Sequence, residues 1–279
     1  MITPITTLKK VNEFQKKYND SSDMKMTRSQ QDAMRSILTT KDRFIAIQGY
    51  AGVAKTTMLS WTKLLIEEAD FRVRGLTVAS SAAIEMTEKS GIKTDVFPLV
   101  LKELKNAKNA GLKKTVFILD EASMLSSPQG HELIKQIERT QSRLILVGDK
   151  AQLPSVNNSR LFGLSQEYGI STTTMDEIVR QKDPNALESV VHATRGEVEE
   201  AIKKLHMVQE NTSSFERKNW IAKEWLSYDE EKRKNTLIFA ATHKNRAEIT
   251  EKIRAGLKEE GALNGRNIEV SALKAKDKS

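Results

Sequence analysis

Gly49-Tyr50-Ala51-Gly52-Val53-Ala54-Lys55-Thr56-Thr57 lies between an apolar run, residues 44–47, and a stretch, residues 55–69, in which Met58, Leu59, Trp61, Leu64, Leu65 and Ile66 recur at helical spacing. A glycine-bearing turn that ends a buried strand and opens a helix is where a phosphate-binding loop belongs. Backbone N–H groups and the helix N-terminus converge on the anion, the Lys55 ammonium reaches the β and γ oxygens, and the Thr56 hydroxyl is placed to ligate Mg²⁺. Gly49, Gly52, Val53, Ala54 and Thr57 complete the expected nucleotide cradle around Lys55 and Thr56. One position departs from the G-x-x-x-x-G-K-[ST] spacing, because Ala54 stands where the last glycine is expected. In a glycine-only conformation Ala54 would cost on the order of 1–2 kcal/mol. As the first good helix former of a long helix it is read as helical and harmless.

Outward from the loop, short apolar runs alternate with helical stretches. Residues 73–79, 115–119 and 143–147 read as strands, and residues 82–89 and 130–140 as helices. Strands separated by helices imply βαβ units and a parallel sheet covered on both faces, an α/β fold. A second alternation, a strand over 236–240 and a helix over 244–257, follows a mainly helical region, 183–228, broken at Gly196 and at 211–214.

Two further segments end strands in polar groups, where α/β proteins place their ligands, and another supplies an arginine. The run 116–119 leads into Asp120-Glu121-Ala122-Ser123, two adjacent carboxylates that are seldom packing residues in that position. Asp120 is read as holding the Mg²⁺ shell and Glu121 as polarising the attacking water. The run 144–147 leads into Gly148-Asp149-Lys150-Ala151-Gln152-Leu153-Pro154, where Gln152 has the length to sense a γ-phosphate. Ile178-Val179-Arg180-Gln181 offers Arg180 as a guanidinium entering the site from a second lobe, in the manner of an arginine finger.

In this order the motifs resemble those of superfamily 1 helicases. Gly-Asp-Lys-Ala-Gln-Leu-Pro at 148–154 and Ile-Val-Arg-Gln at 178–181 resemble motifs III and IV of the 5′-to-3′ (1B) branch. Met26-Thr27-Arg28-Ser29-Gln30 is similar to that branch's L-T-x-x-Q entry, which implies that Gln30 contacts adenine. The runs 42–53, 175–181 and 237–243 are most like the helicase region of conjugative relaxase-helicases, the TraI/TrwC class. The resemblance covers about residues 26–257. It implies a RecA-like P-loop NTPase fold that binds ATP and Mg²⁺ and moves on single-stranded DNA. It further implies a relaxase domain in the same longer chain and type IV secretion components as partners. The expected organisation is a helical lead-in over 1–25, a RecA-like ATP-binding lobe (1A) over 26–170, and linker helices with the start of a second lobe (2A) over 171–279. No T-x-H-x-x-Q-G or S-R-A pattern follows Leu257, so the chain reads as a truncated piece of a longer helicase. The Ia segment, Val78-Ala79-Ser80-Ser81-Ala82, lacks the P-T-x-x-A form; Ser80 and Ser81 suit phosphate contacts and helix capping equally. A helicase-derived module that binds DNA or a secretion partner without productive hydrolysis stands as the alternative. A DNA-independent P-loop ATPase or kinase would leave 148–154 and 178–181 without a purpose.

Composition narrows the remaining classes. The 279 residues carry 45 Lys+Arg against 37 Asp+Glu, a formal charge of +8, with 38% hydrophobic residues and no cysteine. That excludes a disulfide scaffold, cysteine-ligated zinc and a thiol nucleophile. The four histidines have no metal-ligand spacing, so no metal site of protein ligands alone is expected. No apolar run approaches the ~18–20 residues of a membrane span, and the lysine-bearing N-terminus has no apolar core of a signal peptide. A soluble, cytoplasmic protein is expected. Lys102, Lys105, Lys108, Lys113 and Lys114 read first as a solvated helix face and second as a DNA contact. Trp61 is expected in the core, and the sequence does not place Phe97, Phe162, Trp220 or Trp225.

Overall fold

The computed structural model describes residues 2–150 and 161–263, which form two compact units that divide between Leu205 and His206. The first unit runs α1 (Leu8–Ser21), α2 (Arg28–Thr39), β1 (Phe44–Gly49), α3 (Lys55–Glu68), β2 (Arg72–Thr77), α4 (Ser80–Ser90), β3 (Thr94–Val96), α5 (Phe97–Asn106), β4 (Thr115–Leu119), a 3-10 turn (Ala122–Met124), α6 (Ser127–Thr140), β5 (Arg143–Gly148), α7 (Leu161–Glu167), β6 (Thr172–Met175), α8 (Pro184–Thr194) and α9 (Val198–Lys203). The strands make one six-stranded sheet in the order β3-β2-β4-β5-β1-β6, and every pairing is parallel. This is the α/β architecture expected of a P-loop NTPase.

Strand alternation builds two cores. Ile45, Ile47, Val116, Ile118, Ile145 and Val147 face one layer with Met34, Ile37 and Leu38 of α2 and Met58, Leu59 and Ile66 of α3. Ala46, Phe117, Leu119, Leu144 and Leu146 face the other, against Val100 and Leu104 of α5, Leu133 and Ile137 of α6 and Phe162 of α7. A two-residue period in a strand buried on both sides gives a continuous apolar run whose alternate members feed opposite layers. Trp61 is in the core as expected, against Tyr18 with ring centroids 4.8 Å apart.

Local chemistry sets the helix starts. Thr27 caps α2 and shares a capping box with Gln30, and Ser126 does the same for α6 with Gln129, followed by Pro128. β6 extends the sheet beside β1, in register from Ala46↔Thr172 to Gly49↔Met175.

The second unit contains α10 (Ser214–Leu226), α11 (Glu230–Lys234) and α12 (His243–Glu259). The expected strand over 236–240 is not formed. Leu237 and Phe239 are 75% and 86% exposed, and among the described residues of this unit there is no strand to pair with. A β-branched and aromatic run needs a ladder partner before its propensity becomes a strand. Among the described residues no helix is long and apolar enough to cross a membrane.

Candidate nucleotide site

The loop after β1 is shaped by close contacts that only small residues permit. A Cβ on Gly49 would lie 2.7 Å from Lys55 Cδ, so glycine lets the lysine stem fold back over the strand end. Gly52 has φ +88°. The Lys55 ammonium donates to the carbonyls of Gly49 at 2.7 Å and Tyr50 at 3.3 Å. Val53 is buried, and its carbonyl accepts from Gln30 Nε2 at 3.1 Å.

Ala54 departs from the helical backbone expected of it. It is the N-cap of α3 with φ 56° and ψ 50°, in the left-handed region, and has no side-chain cap. The turn from the loop into α3 takes Ala54 into that region, and its demand overrides alanine's helix propensity. The glycine of the usual spacing would adopt this conformation freely; alanine adopts it at a cost of about 1–2 kcal/mol.

At the carboxyl ends of the strands the loop meets the other motifs. Lys55 and Thr56 of α3, Asp120 and Glu121 beyond β4, Asp149 beyond β5 and Arg180 beyond β6 line one cavity of about 200 Å³. Arg180 comes from the loop's own unit. The amides of Val179 and Arg180 donate to the Gly52 carbonyl at 2.9 and 3.1 Å, so residues 178–181 are pinned to the phosphate loop. The expectation of entry from a second lobe is corrected by these backbone bonds. Gly49, Val53 and Ala54 shape the loop behind the cavity, while Thr57 lies in α3 away from its lining. Gln152 lies outside the described residues.

Gln30 is engaged within the protein. Its Oε1 accepts from the Thr27 amide at 2.9 Å while its Nε2 holds Val53, so the side chain joins the start of α2 to the phosphate loop. Glu177 supports the same helix end by accepting from the Ser29 amide at 2.7 Å, and these α2 amides hold its carboxyl below the usual glutamate range. Ser80 and Ser81 are exposed in the first turn of α4, whose N-cap is Ala79 with no side-chain cap bond.

Glu85, Asp120, Glu121 and Asp149 share the cavity with Lys55 and Arg180, and burial is the largest influence on Asp120, Glu121 and Lys55. Burial pushes Asp120 above its ordinary value, offset in part by the Glu121 amide, which donates to Asp120 Oδ1 at 2.9 Å, and by Lys55. Glu121 is raised by burial, then by the charges of Asp120 and Glu85. Burial lowers Lys55, against the pull of Asp120 and Asp149. Neighbouring carboxylates whose ionisation is disfavoured by burial and, for Glu121, by the other acids present oxygen ligands and a negative field that a divalent cation would relieve, and the Thr56 hydroxyl lines the same cavity. The donor set therefore fits Mg²⁺, and the cations with the loop amides fit the phosphates it would carry. Glu121 has a left-handed backbone, φ 53°, a second strained residue at the site.

Sequence reading missed three contributors. Glu85 of α4 lines the cavity opposite Arg180, one turn beyond the Ia serines. Asp149, to which the motif at 148–154 assigns no role, accepts from Gln48 Nε2 at 2.9 Å. Gln48, buried at the end of β1, also accepts from the Lys150 amide at 3.1 Å, which fixes the 148–150 turn against the strand bearing the phosphate loop. A polar residue inside an otherwise apolar strand was the available signal for Gln48.

Comparison with known proteins gives the family. A family profile described as an AAA domain matches residues 25–211. The multifunctional conjugation protein TraI of Escherichia coli strain K12 is 32% identical over 194 residues, which is 66% of this chain and 11% of that protein. A probable conjugal transfer protein TraA of Sinorhizobium fredii is 28% identical over 231 residues, 80% of this chain and 20% of the relative. The conjugal transfer protein TraA of Agrobacterium fabrum strain C58 is 28% identical over 160 residues, 57% and 14%. The matches thus cover between a tenth and a fifth of the relatives' length. With the phosphate loop, the paired carboxylates and the Gly52-bound arginine all inside the matched region, the chain belongs to the AAA-domain family of superfamily 1 helicase type, to which its TraI and TraA homologues point.

Proposed function

We propose that this chain is the motor segment of a conjugative relaxase-helicase, hydrolysing Mg·ATP to move 5′-to-3′ on single-stranded DNA in the cytoplasm. The observation that carries the reading is the convergence of Lys55, Thr56, Asp120, Glu121 and Arg180 on one small cavity at the carboxyl edge of a parallel sheet. Its volume of about 200 Å³ suits a phosphate chain rather than a whole nucleotide, so the base would lie outside it, toward the α2 start where Gln30 sits.

Each side chain has a distinct task. Lys55, whose ammonium donates to the Gly49 and Tyr50 carbonyls at the cavity, would donate to phosphate oxygens of the nucleotide. Thr56 and Asp120 would hold Mg²⁺, which when bound neutralises phosphate charge and the surplus of carboxylates. Glu121, raised by burial and by two neighbouring acids, takes the proton of the attacking water. Arg180 stabilises the charge that develops on the transferred phosphoryl group, a contribution of roughly 10³–10⁵ in related reactions. Gln152 is proposed to report loss of the γ-phosphate. Ser80 and Ser81, exposed at the start of α4, are proposed to meet DNA phosphates. A relaxase domain of the same longer protein and type IV secretion components are the proposed partners.

A second reading has one observation in its favour. The left-handed backbone at Ala54 handicaps the loop, and a sufficiently weakened loop would leave a DNA-binding module without productive hydrolysis. ATP turnover by the chain, assayed with and without single-stranded DNA, separates the two. DNA-stimulated hydrolysis is expected; absence of both hydrolysis and nucleotide binding would support the module instead.

A further inference from the structure

The larger cavity of the first unit, about 830 Å³, lies at the opposite edge of the sheet from the nucleotide site. Arg43 precedes β1, Lys114 precedes β4, Phe71 precedes β2 and Arg143 opens β5, so the amino ends of four parallel strands bring their flanking residues together there. Six residues of β1 separate this edge from the phosphate loop, about 20 Å of strand.

Its walls are cationic. Lys41, Arg43, Lys113, Lys114 and Arg143 line it, and among the described residues only Lys114 has a carboxylate partner, Asp70 at 2.6 Å. Lys113 and Lys114 are not on a helix face, as their spacing suggested; they lie in the turn before β4. Arg143 is 7% exposed, packs over the Phe71 ring at 5.0 Å, and donates through Nη2 to the Thr3 carbonyl, yet its buried Nη1 has no partner. Arg43 donates to the Ser142 carbonyl at 2.8 Å. A guanidinium held in the protein with a second one beside it and no acid opposite is an unfavourable arrangement without a counter-charge. Burial, and then the charge of Arg43, both disfavour the ionised form of Arg143.

We propose that this basic cavity is an anion site for phosphate groups, supplied by a free phosphorylated ligand or by the backbone of a nucleic-acid strand, and distinct from the nucleotide site. Phosphate is favoured over a single carboxylate by charge, because four cations without an acid partner call for a multiply charged anion. A volume of about 830 Å³ leaves room for a phosphorylated group.

The test uses the full chain carrying Lys55→Ala, so that the phosphate loop makes little contribution and the result is independent of the function proposed above. Pyrophosphate is titrated calorimetrically in EDTA, and a labelled twelve-residue oligothymidylate is titrated by anisotropy over a range of salt. Adding Arg143→Gln, or Arg43→Gln with Lys113→Gln, should weaken pyrophosphate at least tenfold; the second pair are partly or fully exposed and keep the fold if Arg143→Gln does not. If oligothymidylate weakens as well and its salt slope falls by about two, the phosphate comes from a strand. If DNA binding is unmoved while pyrophosphate is lost, it comes from a free ligand. Failure of pyrophosphate to bind, unchanged affinity in both variants, or tetraglutamate binding as tightly as pyrophosphate would overturn the assignment.

Discussion

Ala54 carries the conflict between local preference and loop geometry most plainly. Its left-handed backbone lies directly before Lys55, so any relaxation toward α would swing the loop amides and the lysine together. Ala54→Gly should therefore relieve about 1–2 kcal/mol of strain, read as a higher melting temperature to the extent that the free loop holds this backbone and as ATP binding tightened by up to about thirtyfold to the extent that only the bound loop does. Unchanged affinity in a nucleotide titration would show that the loop is not limited by this residue. The buried carboxylates make a separate prediction. Asp120 is raised in the folded chain, so its favourable contribution is complete below the ordinary aspartate range and is lost as pH rises through its raised value. In EDTA without nucleotide, Asp120→Asn should raise the melting temperature by roughly a few degrees near neutrality. The gain should vanish below about pH 4, where the carboxyl is neutral in both states. The identity of these residues was readable from sequence because each ends an apolar run in polar groups. The backbone at Ala54 was not, since alanine's propensity and the turn's demand point opposite ways. Nor was Glu85, which reaches the site through the packing of α4 and not through any spacing.

At the level of elements, the phosphate loop is held from two sides. Gln30 ties it to α2, and the amides of Val179 and Arg180 bind the Gly52 carbonyl from the segment after β6. Gln30→Ala removes half of a capping box and the Val53 bond, and should cost about 1 kcal/mol in thermal or denaturant unfolding. A change in nucleotide affinity larger than that loss would add a direct role toward the base; no destabilisation at all would remove the structural one. Strands β1, β2, β4 and β5 were legible as apolar runs, and α3, α4, α6 and α12 as periodic stretches. β6 was missed because Thr172-Thr173-Thr174 carries little apolar signal, and its strand state comes from pairing with the edge of β1. The opposite failure, the unformed strand over 236–240, has the same cause: a strand exists by virtue of its neighbour.

For the whole molecule, both proposed sites and, among the described residues, every strand lie in the first unit, before His206. A chain ended at Leu205 should fold cooperatively and bind ATP within about threefold of the full chain, read by calorimetry; aggregation or loss of binding would show that the later helices are needed for the site. A working hydrolytic site, as proposed for the cavity lined by Lys55, Asp120, Glu121 and Arg180, requires binding and chemistry to be separable by mutation. The most direct measurement is ATP affinity and ATP turnover, side by side, in the full chain and in its Lys55→Ala and Glu121→Gln variants. The prediction is a split: Lys55→Ala loses both, whereas Glu121→Gln keeps its affinity and loses about 10²–10⁴ in turnover. Turnover that survives in Glu121→Gln, or affinity that survives in Lys55→Ala, would contradict it.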